Sequence, residues 1–159
     1  MKKILGILAV LLIFSCSKSD DNGDKTLDNQ FYGKWYLVKE DHFDKNSKLL
    51  ATISLKAGEH CDYDQLDFLP TNRINYLAYY LTDDTKECYS RYIENAYQWK
   101  MIDQRRLTLY NGEVRQEFIV TKIDDAEMNL ERMLTAMEIN SDNYEKGVVR
   151  IRIYYQKVK

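Results

Sequence analysis

The sequence predicts an all-β domain, an antiparallel up-and-down meander that closes into a barrel of about eight strands. Three observations predict it. From Phe31 onward, apolar and polar residues alternate in short runs separated by polar turn clusters, the pattern of half-buried strands. Thirteen Tyr lead a high aromatic content, and aromatic and β-branched residues favour strands. Neither a long 3.6-residue periodicity nor a Pro/Gly/Ser-rich linker interrupts residues 31–159, which make one domain of ordinary size. A meander of such strands removes its exposed edges by closing on itself.

The elements follow in chain order. Met1-Lys2-Lys3 ahead of an apolar run at 4–14 has the layout of a secretory signal peptide over residues 1–15. The run is too short for a transmembrane helix, which takes ~20 apolar residues. Ile13-Phe14-Ser15-Cys16 resembles the bacterial lipobox, which implies diacylation of the Cys16 thiol and cleavage ahead of it. More than one acyl chain makes such an attachment stable, so the implied partner is a membrane. Residues 16–30 then read as the lipidated Cys and a flexible tether. Its Ser19-Asp20-Asp21 fits either a solvated linker or a short acidic signal similar to that which sends Bacteroidetes-type lipoproteins to the cell exterior. Asp20-Asp21-Asn22-Gly23-Asp24 lacks the spaced ligands and closing Glu of a calcium loop. The expected location is the cell envelope, at the outer membrane, on its periplasmic or its exposed side.

The first strand covers 33–40, with Trp35 and Leu37 on one face, and a weaker one covers 49–55. A third, at 63–69, is closed by Pro70-Thr71-Asn72, and 74–81 is apolar on both faces. Two further strands are expected at 89–93 and 96–102, the latter placing Tyr97, Trp99 and Met101 together. Asn111-Gly112 between alternating runs predicts a type I′ hairpin. The run 114–120 continues it, Asp124-Asp125 turns the chain, and Met128-Leu130-Arg132-Leu134 returns. Within 127–138 a helix is the competing reading, because Met128, Met133 and Met137 fall at near-helical spacing. The last strand, 149–155, alternates apolar residues with Arg150, Arg152 and Tyr154.

With Cys16 taken by lipid, Cys61 and Cys88 remain as an even pair in an oxidising compartment, where a disulfide is the expected state. A metal site is the weaker reading: His42 and His60 are the chain's two His, and there is no Cys-x-x-Cys. No metal and no other cofactor is expected. Without Lys2 and Lys3 of the signal, 21 basic residues face 25 acidic ones, a balance that argues against nucleic acid as a partner. The chain has no nucleophile elbow, no His-Glu-x-x-His, no phosphate-cradling Gly loop and no dinucleotide fingerprint. No catalytic residue is assigned, and the expectation is a protein that is not an enzyme.

Gly33-x-Trp35, the Cys61 and Cys88 pair, Leu66-x-Phe68 and Tyr97-x-Trp99 together resemble the lipocalin-like domain of Bacteroidetes lipoproteins, over nearly the whole mature chain. The resemblance implies an eight-stranded barrel in which Trp35 closes one end against a basic side chain from a late strand. Arg150 or Arg152 is expected in that role, by cation–π contact. Leu77, Tyr97, Trp99, Met101 and Phe118 are expected to face the interior, as core or as ligand contacts, because such a barrel is just wide enough for either. Two functions follow as expectations. One is a barrel that takes a small apolar or amphipathic ligand. The other is a filled barrel that contacts glycan or an envelope partner through exposed Tyr76, Tyr79, Tyr80 or Tyr89.

Overall fold

A computed structural model of the chain describes residues 27–82 and 84–159. The expected signal peptide, Cys16 and the tether as far as residue 26 lie outside the described residues. Helix α1 (Leu27–Phe31) leads into β1 (Gly33–Phe43), β2 (Leu49–Ser54), β3 (Gln65–Phe68), β4 (Arg73–Leu81), β5 (Cys88–Met101), β6 (Arg106–Asn111), β7 (Val114–Ile123) and β8 (Glu127–Met133). A short helix α2 (Ala136–Ile139) precedes β9 (Arg150–Lys157). Pairing runs β1-β3-β4-β5-β6-β7-β8-β9 and returns from β9 to β1, antiparallel throughout. The fold is therefore a closed meander barrel of eight strands, as the alternation predicted.

Strand β2 is an addition to that ring. It pairs with Lys39–Phe43 of β1, while β3 pairs with Gly33–Tyr36 on the same edge. Together β2 and β3 form one interrupted strand whose halves are separated by an excursion at 55–64. Three contacts hold the excursion where β2 does not reach β4. The Cys61–Cys88 disulfide, with Cα atoms 5.4 Å apart, ties it to the start of β5. Gly58 lies against Leu81 so closely that a Cβ there would meet the leucine methyl at 2.7 Å. Asp64 accepts the Tyr79 N–H at 2.7 Å and the Tyr76 hydroxyl, taking the place of a strand partner. The cross-link spans 27 residues, a separation for which chain-entropy loss in the unfolded state contributes about 3.5 kcal/mol.

Four local expectations change. Residues 27–30 of the expected tether are helical, in a helix that ends at Phe31, because Phe31 is wholly buried in the core and Leu27 packs against it. The two strands expected at 89–93 and 96–102 are the single β5, which bends without ending: Asn95 has φ 51° and donates its N–H to the Asn75 side chain at 2.9 Å, a bulge held by a side chain. The β6–β7 hairpin exists, but Asn111 pairs with Val114, so its loop is Gly112-Glu113. Gly112 carries the positive φ, 59°, and Glu113 does not, which is the type II′ pattern rather than I′. The segment 127–138 is strand first and helix after, with the change at Thr135, whose capping box with Glu138 starts α2.

The end of the barrel nearest α1 is solid. Phe31, Phe68 and Trp99 pack ring to ring at 5.5–5.6 Å above Ile74, Leu107 and Met128. Trp35, fully buried, donates its indole N–H to the Phe31 carbonyl at 2.7 Å. The cation over it is Lys157, with Nζ 4.1 Å from the ring and hydrogen-bonded to the Tyr32 carbonyl. Arg150 and Arg152 do not reach Trp35: they lie outside the barrel over Phe43, at 4.7 and 5.4 Å, and pair with Glu131. They sit at outward positions near the opposite end of β9, whereas Lys157 is the residue of β9 in register with Trp35. Gly33 completes the arrangement, since its φ of 101° disfavours a side chain and a Cβ would lie 3.3 Å from the Lys157 amine.

Replacing Lys157 by Met keeps the stem and removes the charge and its bond. The expected loss is about 1–2 kcal/mol, read from the denaturant midpoint together with a shifted tryptophan emission. The same change at Arg150 is expected to leave the emission unaltered.

Candidate functional site

Alternation decides which side chains enter the barrel, and bulges reset it. On β1 the register shifts between Leu37 and Lys39, so Trp35 and Leu37 point inward near the closed end and Glu40 and His42 point inward beyond the shift. Along β8, Met128, Leu130 and Arg132 all face in. The interior thus changes along the axis from apolar to charged.

The wall also opens there. The β7–β8 ladder begins at Ile123–Met128 and stops at Ile119–Glu131. Residues 114–118 of β7 therefore have no partner on β8. Side chains from both faces of the two strands line the resulting cleft, of about 570 Å³. Phe118 and Arg132 come from the inner face, Ile119 and Met133 from the outer, and Thr135 and Glu138 from the connection to β9. Val114, Ile119 and Met133 stand exposed around it.

Arg132 dominates the electrostatics. Its side chain is only 10% exposed, with the guanidinium 5.9 Å from the centre of the Phe118 ring. Nη1 and Nη2 donate to the two Glu138 oxygens at 2.9 and 2.7 Å, a bidentate pair. Nε is buried without a protein partner. Glu138 also accepts the Thr135 N–H at 2.8 Å and its hydroxyl at 3.0 Å. The bond from Arg132, reinforced by Thr135, holds the Glu138 carboxyl down at about 2.

A second cleft, of about 510 Å³, lies on the other side of Glu138 and is lined by Glu40, His42, Ile53 and Tyr144. His42 bonds Glu40 at 2.7 Å through Nε2 and leaves Nδ1 buried without a partner. Tyr144 closes over it, with ring centres 5.4 Å apart. Leu134, Val148 and Ile151 form the small apolar cluster that anchors this connection to the barrel.

Of the five residues expected inside, Tyr97, Trp99, Met101 and Phe118 belong to the core or pack against it. Among them Phe118 lines the first cleft, and Trp99 borders a separate groove of about 410 Å³ with Asn72 and Tyr110. Leu77 is a correction: it pairs with Gln65 one step from the inward pair Leu66–Tyr76, so it faces out, in a shallow groove with Lys34, Asp67 and Tyr92. Because 74–81 is apolar on both faces, its sequence did not reveal which face was inner. Of the tyrosines considered for outer contacts, Tyr76 turns inward to Asp64. Tyr80 and Tyr89 pair across the β4–β5 ribbon, stacked at 6.1 Å and nearly half exposed.

Sequence reasoning passed over Arg132, Glu138 and Glu40, and weighed His42 only as a metal ligand. Two signals were available: a charge at an inward position of Met128-Leu130-Arg132-Leu134, and the Thr135-x-x-Glu138 spacing of a capping box. Glu40 and His42 had none, because the β1 bulge that turns them inward leaves no mark in the alternation.

No protein-family model matches the chain, and no curated protein matches it significantly. Among solved structures, the chain is similar to a lipocalin-like protein from Bacteroides uniformis ATCC 8492. The identity is 11% and the TM-score 0.44, over 81% of this chain and 99% of that one.

The depressed Glu138 carboxyl makes a pH prediction. Its stabilisation is complete above its ordinary value of 4.5 and is lost as pH falls toward about 2. A Glu138→Gln variant, whose amide still fits the cap, is therefore expected to lose less stability than the wild type between those values, as measured by thermal melts across the acid range.

Proposed function

We propose that the protein is a non-enzymatic binding module, held in the cell envelope by lipid on Cys16, whose barrel takes a small apolar or amphipathic ligand into the β7–β8 cleft. The observation that carries the reading is the break in the β7–β8 ladder. It leaves about 570 Å³ of space over Phe118, with exposed apolar side chains at the entrance. That is the size of small-molecule sites, which combine an apolar lining with a few polar groups. The solid end contributes rigidity and no space, so the ligand is confined to the opposite half. Envelope attachment rests on the signal layout and the lipobox resemblance at residues 1–16.

A second reading has its own observation. Tyr80 and Tyr89 are stacked and exposed, and Tyr92 on the same ribbon is 62% exposed, a surface suited to contact with glycan or an envelope partner.

Titration of the purified protein with N-phenylnaphthylamine, a neutral apolar fluorophore, separates the two. Saturable binding is expected. A Met133→Glu change at the cleft rim should weaken it about tenfold, the loss of an apolar contact of ~1.5 kcal/mol, while Tyr80→Ser leaves it unchanged. Loss of binding on Tyr80→Ser alone would move the ligand to the ribbon, and no saturable binding would overturn the cleft reading.

A further inference from the structure

The Arg132–Glu138 pair has an unusual setting for a structural ion pair. Arg132 is rooted in β8 and packed over Phe118, but Glu138 belongs to a four-residue helix, α2, in which no residue is buried. Met137 on that helix is 84% exposed and Ile139 is exposed as well. The apolar anchor of the connection lies outside α2, at Leu134 and Val148. Glu138 can therefore leave Arg132 without uncovering any core. What holds it is the bidentate bond and the cap at Thr135.

A guanidinium fixed at the floor of an apolar-rimmed cleft is a seat for a planar anion, because its parallel N–H groups match the two oxygens of a carboxylate. Glu138 occupies that seat with the same chemical group. Its two oxygens leave Nε unused, so the donors of Arg132 are not exhausted. A ligand carboxylate that replaced Glu138 would exchange one ion pair for an equivalent one. The apolar remainder of the ligand would then cover Val114, Ile119 and Met133, which stand exposed at the cleft.

We infer that Arg132 is the head-group seat of the cleft, that Glu138 fills it in the absence of ligand, and that the ligand is an amphiphile with a single carboxylate head. The surroundings set the charge. Glu40 lies within electrostatic reach of Arg132, and Glu117 and Glu131 border the cleft. Arg106 and Arg115, which also line the cleft, are committed to Asp103 and Glu117, and Glu131 is held by Arg150 and Arg152, so Arg132 alone offers its charge to a head group and one negative charge balances it.

The inference rests on the cleft being the ligand site, and the experiment separates the two claims. Dodecanoate and dodecanol are compared at pH 8, below micelle formation, by displacement of N-phenylnaphthylamine from the purified protein. Dodecanoate is expected to bind about tenfold more tightly than dodecanol, the worth of one charge-assisted bond. Glu138→Gln removes the resident charge and keeps the cap, since Gln serves at that position. It should tighten dodecanoate severalfold and leave dodecanol unchanged. Arg132→Met should abolish the preference for the acid. If that variant melts early because Glu138 is left unpaired, the Arg132→Met/Glu138→Gln double variant makes the same test. Equal binding of acid and alcohol, or a Glu138→Gln variant that binds dodecanoate no more tightly than the wild type, overturns the seat and leaves the cleft reading standing. Binding of neither compound overturns both.

Discussion

The burial of Trp35 organises this barrel. An indole ring without exposure is stable only if its N–H has a partner, since an unmade bond there would cost about 1–3 kcal/mol. The partner is the Phe31 carbonyl, which brings α1 across the end of the ring and inserts Phe31 among Phe68 and Trp99. One face of the indole is covered by Lys157, whose amine also ties down the Tyr32 carbonyl. One residue of β1 thereby connects α1 to β9, the strand whose pairing with β1 closes the barrel. Gly33 is required because the lysine passes where a side chain would stand.

Away from this plug, the interior becomes charged without becoming unsatisfied in bulk. Buried polar groups are tolerable when paired, and Glu40 with His42 and Arg132 with Glu138 form two such pairs. The atoms left over, Nδ1 of His42 and Nε of Arg132, both sit beside the clefts. The solid half supplies the stability, and the polar half, where the β7–β8 ladder stops, holds the opening. The Cys61–Cys88 disulfide compensates on the β2–β4 side, where Asp64 also stands in for a missing strand partner.

The capping box at Thr135 links the fold to the cleft. It is a local device that starts a single turn of helix, and it needs a Glu or Gln three residues on. In this chain the same Glu138 faces Arg132, so the residue that caps the helix also occupies the inner charge of the cleft.

Much of this was legible in the residues. The alternating runs located most strands, the resemblance placed Trp35 at one end of the barrel and Trp99 in its interior, and the two remaining cysteines identified their bond. These are local or compositional facts: a strand with one buried face must alternate, and an even pair of cysteines is readily read as a bridge. What required the tertiary structure was everything past a bulge or the end of a ladder. Glu40 and His42 turn inward because the β1 register slips against β9, and Leu77 turns outward because the β3–β4 register sets Tyr76 beside the inward Leu66. Lys157 meets Trp35 in place of Arg150 or Arg152 because closure sets β9 against β1 at that level. The cleft exists because the β7–β8 ladder stops at Ile119–Glu131. Pairing between strands distant in the chain sets each of these, and alternation within one strand carries no information about where its neighbour begins or ends.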